Sequence, residues 1–106
     1  PKKHIQPDAF NQVIELTVFR GLQTGTKWTL GYGPRSVGPS SLDLPIFDST
    51  APDECFSVHP SKSGPVFKTN HPESVFLNGA SVKEQTLKPG DIVKVGLTEI
   101  EVQLLL

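Results

Sequence analysis

The spacing of turn residues is the feature that most constrains the fold. No stretch of eleven or more residues carries apolar side chains at helical spacing without an interrupting glycine or proline. Short runs of alternating polarity lie between turn signals instead, and the clearest of them has Ile14, Leu16 and Val18 on one face. This pattern predicts an all-β domain, a sandwich or a barrel of about ten strands joined by tight turns.

The predicted strands lie between successive turn signals. Asn78-Gly79 is the strongest two-residue hairpin signal in the chain. Pro45 cannot donate to a strand ladder, so its strand is predicted to lie at an edge or to be bulged. The predicted strands are Val13–Phe19, Thr26–Leu30, Arg35–Gly38, Leu42–Phe47, Phe56–His59, Pro65–Thr69, Val75–Leu77, Ala80–Val82, Ile92–Val95 and Thr98–Leu104. Residues 1–11 are predicted to form a flexible N-terminal arm, and residues 12–106 a single domain.

Composition excludes several classes of protein. The chain has 106 residues, of which 36% are hydrophobic, and this is enough for one domain with one core. Its net charge of -1 gives no case for nucleic acid as a partner, nor for direct contact with an anionic membrane. One cysteine excludes an internal disulfide. Because the chain starts at Pro1 without a methionine, we expect it to be a fragment of a larger protein.

Catalytic and metal-binding alternatives do not fit the spacing of the residues. Residues 21–27 resemble a phosphate-binding loop, but the glycines are one residue too close and a strand follows instead of a helix. A metal site would have to draw on Cys55, His59 and His71, but in an extended strand Cys55 and His59 lie about 13 Å apart, too far to share one zinc ion. Asp53 and Glu54 disfavour a Cys55 thiolate, so Cys55 is predicted to be a small buried hydrophobe. We therefore predict no enzyme, no metal and no cofactor.

Two segments, together with the leading hairpin of residues 17–21 and 25–30, resemble the forkhead-associated (FHA) domain family. Ser36-Val37-Gly38, followed by residues 42–46 and Asp48, is similar to the family's I-G-R stretch and its strand aspartate. Residues 75–79 (VFLNG) and 87–96 (LKPGDIVKVG) are similar to the family's second Asn-Gly pair and its L-x-x-G-D ending. The resemblance covers residues 13–104. It implies a β-sandwich of about ten to eleven strands that usually binds phosphothreonine peptides through loops at one end.

The phosphate-binding positions of that family do not carry over. The arginine that follows the I-G pair is Pro39 here, and the serine and histidine of the family's S-x-x-H are Pro52 and Cys55. The asparagine of its first Asn-Gly pair is Glu73. A phosphate with a charge near -2 needs charge-assisted donors, whereas prolines offer no N–H and a carboxylate repels the phosphate.

The sequence therefore predicts a non-catalytic protein-interaction or assembly module with a protein or peptide partner. Its expected location is cytoplasmic, including the cytoplasmic part of a membrane-attached protein, since degenerate domains of this type resemble those of bacterial secretion systems. The alternative is a phosphothreonine reader with a rebuilt pocket that draws on Arg35, Lys62, Ser40 and Thr50. The predicted partner-binding loops contain Pro39, Ser40, Ser41, Thr50, Pro52, Asn70, His71, Glu73 and Ser74.

Overall fold

The chain folds into two packed antiparallel sheets. The structure is a computed structural model that describes residues 8–41 and 44–105. Within these residues there are nine strands, two isolated β-bridges and no helix. The strands are β1 (Asp8–Arg20), β2 (Lys27–Gly33), β3 (Arg35–Val37), β4 (Phe56–His59), β5 (Val66–Lys68), β6 (Val75–Leu77), β7 (Glu84–Thr86), β8 (Ile92–Val95) and β9 (Thr98–Leu105). The all-β sandwich predicted from the sequence is confirmed.

The two sheets enclose one apolar core. The larger sheet has the strand order β2-β1-β9-β8-β6, and the smaller has the order β3-β4-β5-β7. Ile14, Leu16 and Val18 of β1 are fully buried on one side of the core. From the other sheet, the rings of Phe56 and Phe67 pack with their centroids 5.4 Å apart. The alternation seen in the sequence therefore marks the buried face of each strand.

The Asn78-Gly79 turn forms as the sequence predicts. Asn78 and Gly79 both have positive φ, at 52° and 80°, and the amides of Leu77 and Ala80 donate to each other's carbonyl oxygens. This is the geometry that a two-residue type I′ turn requires. The Asn78 side-chain amide (Nδ2) donates to the Asp91 carboxylate over 3.0 Å, so the turn is bound to the Gly90-Asp91 turn beside it.

Two predicted strands differ from the structure. In the predicted strand Leu42–Phe47, residues 42 and 43 lie outside the described residues, Leu44 makes only an isolated bridge to Val37, and residues 45–47 join no strand. Pro45 has no N–H for a ladder, and the Gln23 side chain accepts from Phe47 N over 2.6 Å and donates to Pro45 O over 3.0 Å instead. In the predicted strand Ala80–Val82 only Ala80 forms a bridge.

The N-terminal strand is longer than the alternating pattern indicates. β1 begins at Asp8 and pairs there with Gly33 of β2, while the Phe10 side chain is buried. Its ring occupies the space that a Cβ on Gly33 would need, with the nearest ring atom 2.6 Å from that position. β1 thus includes residues 8–11, which the sequence analysis assigned to the arm; residues 1–7 lie outside the described residues.

Among the described residues there is no helix long and apolar enough to span a membrane.

Candidate functional site: the loop face

Most of the long loops meet at one end of the sandwich. In the smaller sheet, the Val37–Phe56 and Ser57–Lys68 pairs put the end of β3, the start of β4 and the end of β5 side by side. In the larger sheet, the Val75–Val95 pair puts the start of β6 beside the end of β8, and the Arg20–Glu99 pair puts the end of β1 beside the start of β9. We call this end the loop face, which consists of residues 21–26, 38–41, 44–55, 69–74 and 96–97.

The long loop between β3 and β4 is packed closely against the start of β4. A Cβ on Gly38 would lie 2.5 Å from Asp53 O and 2.9 Å from Cys55 N, so only glycine fits between these backbone segments. Ser40 N donates to Asp53 O over 3.0 Å, and Cys55 N donates to Val37 O over 2.8 Å. The loop is therefore held in place by its own backbone.

The loop between β5 and β6 is fastened to the same point. The buried Thr69 hydroxyl donates to Cys55 O over 2.6 Å and accepts from His71 N over 3.0 Å. Beyond it, His71 Nδ1 lies 3.6 Å from the Glu73 carboxylate, and the Ser74 hydroxyl donates to that carboxylate over 3.4 Å. Cys55 and Thr69 thus link the two loops that contain all the predicted partner-binding residues.

The predicted residues fall into two neighbouring groups. The first lies in the β3–β4 loop and contains Pro39, Ser40, Ser41, Thr50 and Pro52, and the second lies in the β5–β6 loop and contains Asn70, His71, Glu73 and Ser74. The structure does not bring Arg35 or Lys62 to them. Arg35 begins β3 at the opposite end of the sandwich, where its guanidinium lies 5.2 Å from the centre of the Tyr32 ring. Lys62 lies in the β4–β5 loop, also at that end.

The loop face carries negative charge. Its described residues include four carboxylates, of Asp48, Asp53, Glu54 and Glu73, and no lysine or arginine. Basic residues border these loops: Arg20 is paired with Glu99 over 3.2 Å, Lys27 and Lys68 are exposed, and the exposed Lys83 accepts at its carbonyl oxygen from Thr69 N over 2.9 Å. The chain as a whole has a net charge of only -1, so its charges are distributed unevenly, with carboxylates in these loops and basic residues at their borders.

Cys55 is a core residue. It is fully buried, and its thiol donates to Pro52 O over 3.4 Å. Burial, together with the nearby Asp48 and Glu54 carboxylates, raises the pKa of the Cys55 thiol to about 12. The sequence prediction of a small buried hydrophobe at this position is confirmed. A nucleophile needs the thiolate form, which this environment suppresses.

We expect the Cys55 thiol to resist alkylation in the native protein. At neutral pH the raised pKa leaves almost no thiolate, and burial blocks access to the sulfur. Incubation with iodoacetamide followed by mass spectrometry should find unmodified native protein and full modification in urea. Rapid labelling of the folded domain would show that the β3–β4 loop opens readily.

Asp48 fastens the β3–β4 loop to the turn between β8 and β9. Its carboxylate accepts from the Thr50 hydroxyl and amide over 2.6 and 3.0 Å, from Leu97 N over 3.0 Å and from the Thr98 hydroxyl over 3.1 Å. The Thr50 hydroxyl, and then the amides of Thr50 and Leu97, lower the pKa of this carboxyl despite partial burial. Gly96 leaves room for the contact, because a Cβ there would overlap Thr50 and Asp48.

We expect Asp48→Ala to lower the free energy of unfolding by about 1–2 kcal/mol at pH 7, because four hydrogen-bond donors lose their acceptor. A folded-state pKa below the ordinary 3.8 means that the stabilisation is complete above pH 3.8 and is lost as the pH falls through the folded value. Urea unfolding between pH 2.5 and 7 should show this acid-dependent loss in the wild type and less of it in Asp48→Ala. Asp53→Ala, at an exposed carboxylate on the same loop, is the control; equal losses in both variants would contradict the role of Asp48.

The sequence analysis missed an apolar groove on the loop face. A cavity of about 350 Å³ lies between the β1–β2 turn, the β3–β4 loop and the β8–β9 turn. Leu22, Phe47 and Leu97 line it, and these side chains are 88%, 64% and 79% exposed. The only sequence signal was a leucine in each of two turns, where polar residues and glycine are usual.

A second, more polar cavity of about 220 Å³ lies beside Asn70. Its lining includes Lys68 and the Ser57–His59 pair, whose Oγ and Nε2 atoms are 2.7 Å apart. Partial burial and the neighbouring Lys68 charge lower the His59 pKa, against the raising effect of Glu84 and Glu54. No group of three or more metal-ligating side chains occurs within residues 8–41 and 44–105.

Comparison with solved structures identifies the fold. The chain matches an FHA domain structure from an analysis of phosphothreonine-dependent FHA domain interactions with a TM-score of 0.75 and 19% identity, over 86% of this chain and 95% of that one. It matches the kinase-interacting FHA domain of the Arabidopsis phosphatase KAPP with a TM-score of 0.76 and 17% identity, over 88% and 93%. It matches the FHA domain of Chlamydia trachomatis CT664 with a TM-score of 0.73 and 18% identity, over 86% and 96%. No protein-family model and no curated protein sequence matches the chain.

Proposed function

We propose that this chain, which has the FHA fold, is a non-catalytic protein-interaction module that binds its partner without recognising phosphate. One observation carries the proposal: the described loop face holds four carboxylates and no lysine or arginine. The loops that take part are the β3–β4 and β5–β6 loops.

The chemistry of the loop face opposes a phosphorylated ligand. A phosphate dianion is held in proteins by arginine, lysine, hydroxyl and amide donors. At the positions where the resemblance places such donors, Pro39 and Pro52 have no N–H, Cys55 is buried and Glu73 is anionic. The Asp48 carboxyl, whose pKa is lowered, adds a charge that persists at any physiological pH. At these four positions a dianion would therefore find no compensating hydrogen-bond donor.

The second candidate is a phosphothreonine reader with a rebuilt pocket. It is favoured by the similar structures, one of which is described as phosphothreonine-dependent. Lys68 and Asn70, which line the smaller cavity, are donors available to such a pocket. Arg35 and Lys62, the other basic residues considered for such a pocket, lie at the far end of the sandwich, and this weighs against the second candidate.

An NMR titration separates the two candidates. The isotope-labelled domain is titrated with a pool of peptides randomised around a central phosphothreonine, and with the same pool after dephosphorylation. We expect the phosphorylated pool to cause no shifts beyond those of the dephosphorylated pool. Shifts at the loop-face amides that vanish on dephosphorylation would overturn the proposal.

A gain-of-binding variant serves as the positive control. Pro39→Arg, Pro52→Ser and Glu73→Asn, combined in one chain, restore the donors that the resemblance assigns to these positions. All three sites are in loops, and none is in the fully buried core. Phosphate-dependent shifts in this variant alone would attribute their absence in the wild type to these three residues.

The cytoplasmic location and the secretion-system setting stay predictions of the sequence resemblance.

A further inference from the structure

We infer that the groove lined by Leu22, Phe47 and Leu97 docks an unphosphorylated, cationic segment of a partner protein, which inserts one apolar side chain. The inference rests on the proposed function and adds to it the place of docking and the chemistry of the partner. It is carried by three features of the described residues: an exposed apolar groove, its rigid support and the charge around it.

The groove concentrates apolar surface that a monomer ordinarily buries. Leu22, Leu97 and Phe47 are the three most exposed large apolar side chains of the described residues. They come from three separate loops and line one cavity of about 350 Å³. This is near the lower end of the range of about 300–1,000 Å³ typical of ligand pockets, so the groove suits a side chain better than a large cofactor. Exposed apolar patches rimmed by polar residues usually mark binding sites.

The groove is supported from beneath by side chains that reach across the fold. Gln23 accepts from Phe47 N and donates to Pro45 O, and this fixes the segment that carries Phe47. Asp48 accepts from Leu97 N over 3.0 Å, and this fixes the turn that carries Leu97. The backbone segments that carry Phe47 and Leu97 are therefore held in place before a partner arrives. Such preorganisation reduces the entropy lost on binding.

The charge of the loop face determines the chemistry of the occupant. Asp48 is part of the groove wall, and Asp53, Glu54 and Glu73 lie in the adjoining parts of the same face. Lysine or arginine next to the inserted side chain would therefore be attracted to the groove, and a phosphorylated or acidic segment would be repelled. A second copy of this chain would present the same four carboxylates at a two-fold contact through this face, which makes self-association there unfavourable.

Selection from a random peptide library displayed on phage tests the inference on the intact domain. We expect the selected peptides to place lysine or arginine beside leucine, isoleucine, phenylalanine or tryptophan. Their binding should weaken as salt concentration rises. In an NMR titration, the chemical-shift changes that the peptides cause in the domain should lie at Leu22, Phe47 and Leu97. Selection of acidic peptides, or of no peptide, would overturn the inference.

Two groove variants and one matched control complete the test. Phe47→Ser and Leu97→Ser should each weaken binding of the selected peptides about tenfold, or about 1.4 kcal/mol. Tyr32→Ser removes a side chain that is 53% exposed, on the β2 edge away from the groove, and should leave the affinity unchanged. Phe47 and Leu97 lie outside the buried core, so their loss should not unfold the domain. Binding that survives both groove substitutions would overturn the inference.

The outcomes distinguish this inference from the proposed function. Cationic peptides that bind elsewhere on the domain would contradict the groove and leave a phosphate-independent module in place. Binding by phosphothreonine peptides alone would contradict both. Binding of cationic peptides at the groove, unaffected by phosphate, supports both.

Discussion

Phe67→Ala is expected to lower the free energy of unfolding by about 3–5 kcal/mol. Phe67 is fully buried in β5, and its ring packs against Phe56 with a centroid distance of 5.4 Å. Removing the ring loses the transfer free energy of the apolar atoms and leaves a cavity between the sheets. Because domains of this size are stabilised by about 5–15 kcal/mol in total, the variant loses a large part of its stability.

Phe47→Ala is the matched control for this prediction. It makes the same chemical change at a side chain that is 64% exposed in the groove, so we expect a loss below about 0.5 kcal/mol. Urea unfolding followed by tryptophan fluorescence measures both variants, since Trp28 packs against the core. Similar losses of unfolding free energy in the two variants would mean that Phe47 packs in the core. Phe47 would then not be an exposed side chain of the groove, which would contradict the groove inference.

Gly38→Ala is expected to destabilise the domain by about 2–3 kcal/mol through overpacking. The added Cβ would lie 2.5 Å from Asp53 O and 2.9 Å from both Cys55 N and the Glu54 Cα. All three contacts are with backbone atoms, which cannot move aside as a flexible side chain can. The β3–β4 loop must therefore shift away from β3, and the hydrogen bonds from Ser40 N and Cys55 N weaken with it.

Gly31→Ala is the control for Gly38→Ala. Gly31 lies in β2, and a Cβ there would have no atom within 4 Å. We expect this substitution to change the free energy of unfolding by less than about 1 kcal/mol, since alanine also restricts the unfolded chain. Thermal unfolding and amide hydrogen exchange of Gly38, Ser40 and Ser41 measure both effects. Unchanged exchange in Gly38→Ala would contradict the close packing of this loop.

Local patterns predicted the strands well. Phe56–His59, Val75–Leu77 and Ile92–Val95 begin and end where the sequence places them, because side-chain alternation and turn residues act within a few positions of each other. The predicted strand Leu42–Phe47 was wrong at residues 45–47, and its replacement could not be foreseen. Those residues are held by Gln23, whose partners lie 22 and 24 positions away in the chain.

Pairing between distant segments was the harder part of the fold. β7 joins the smaller sheet by pairing Glu84–Thr86 with Val66–Lys68. Its three residues are polar and mostly exposed, so no apolar alternation marks them as a strand. These residues form a strand because they pair with the edge of β5, and that edge exists only in the folded sheet.

The sequence by itself determined the sandwich and its Asn78-Gly79 turn, since each depends on residue types at neighbouring positions. The loss of phosphate donors at Pro39, Pro52 and Glu73 stays a prediction of the sequence resemblance. Only the tertiary structure decided which loop residues form a surface together. Leu97 N and the Asp48 carboxylate are hydrogen-bonded across 49 positions. A hydrogen bond between residues so far apart in the chain forms only when the two sheets pack together. The groove beside it is therefore not visible in the local sequence pattern.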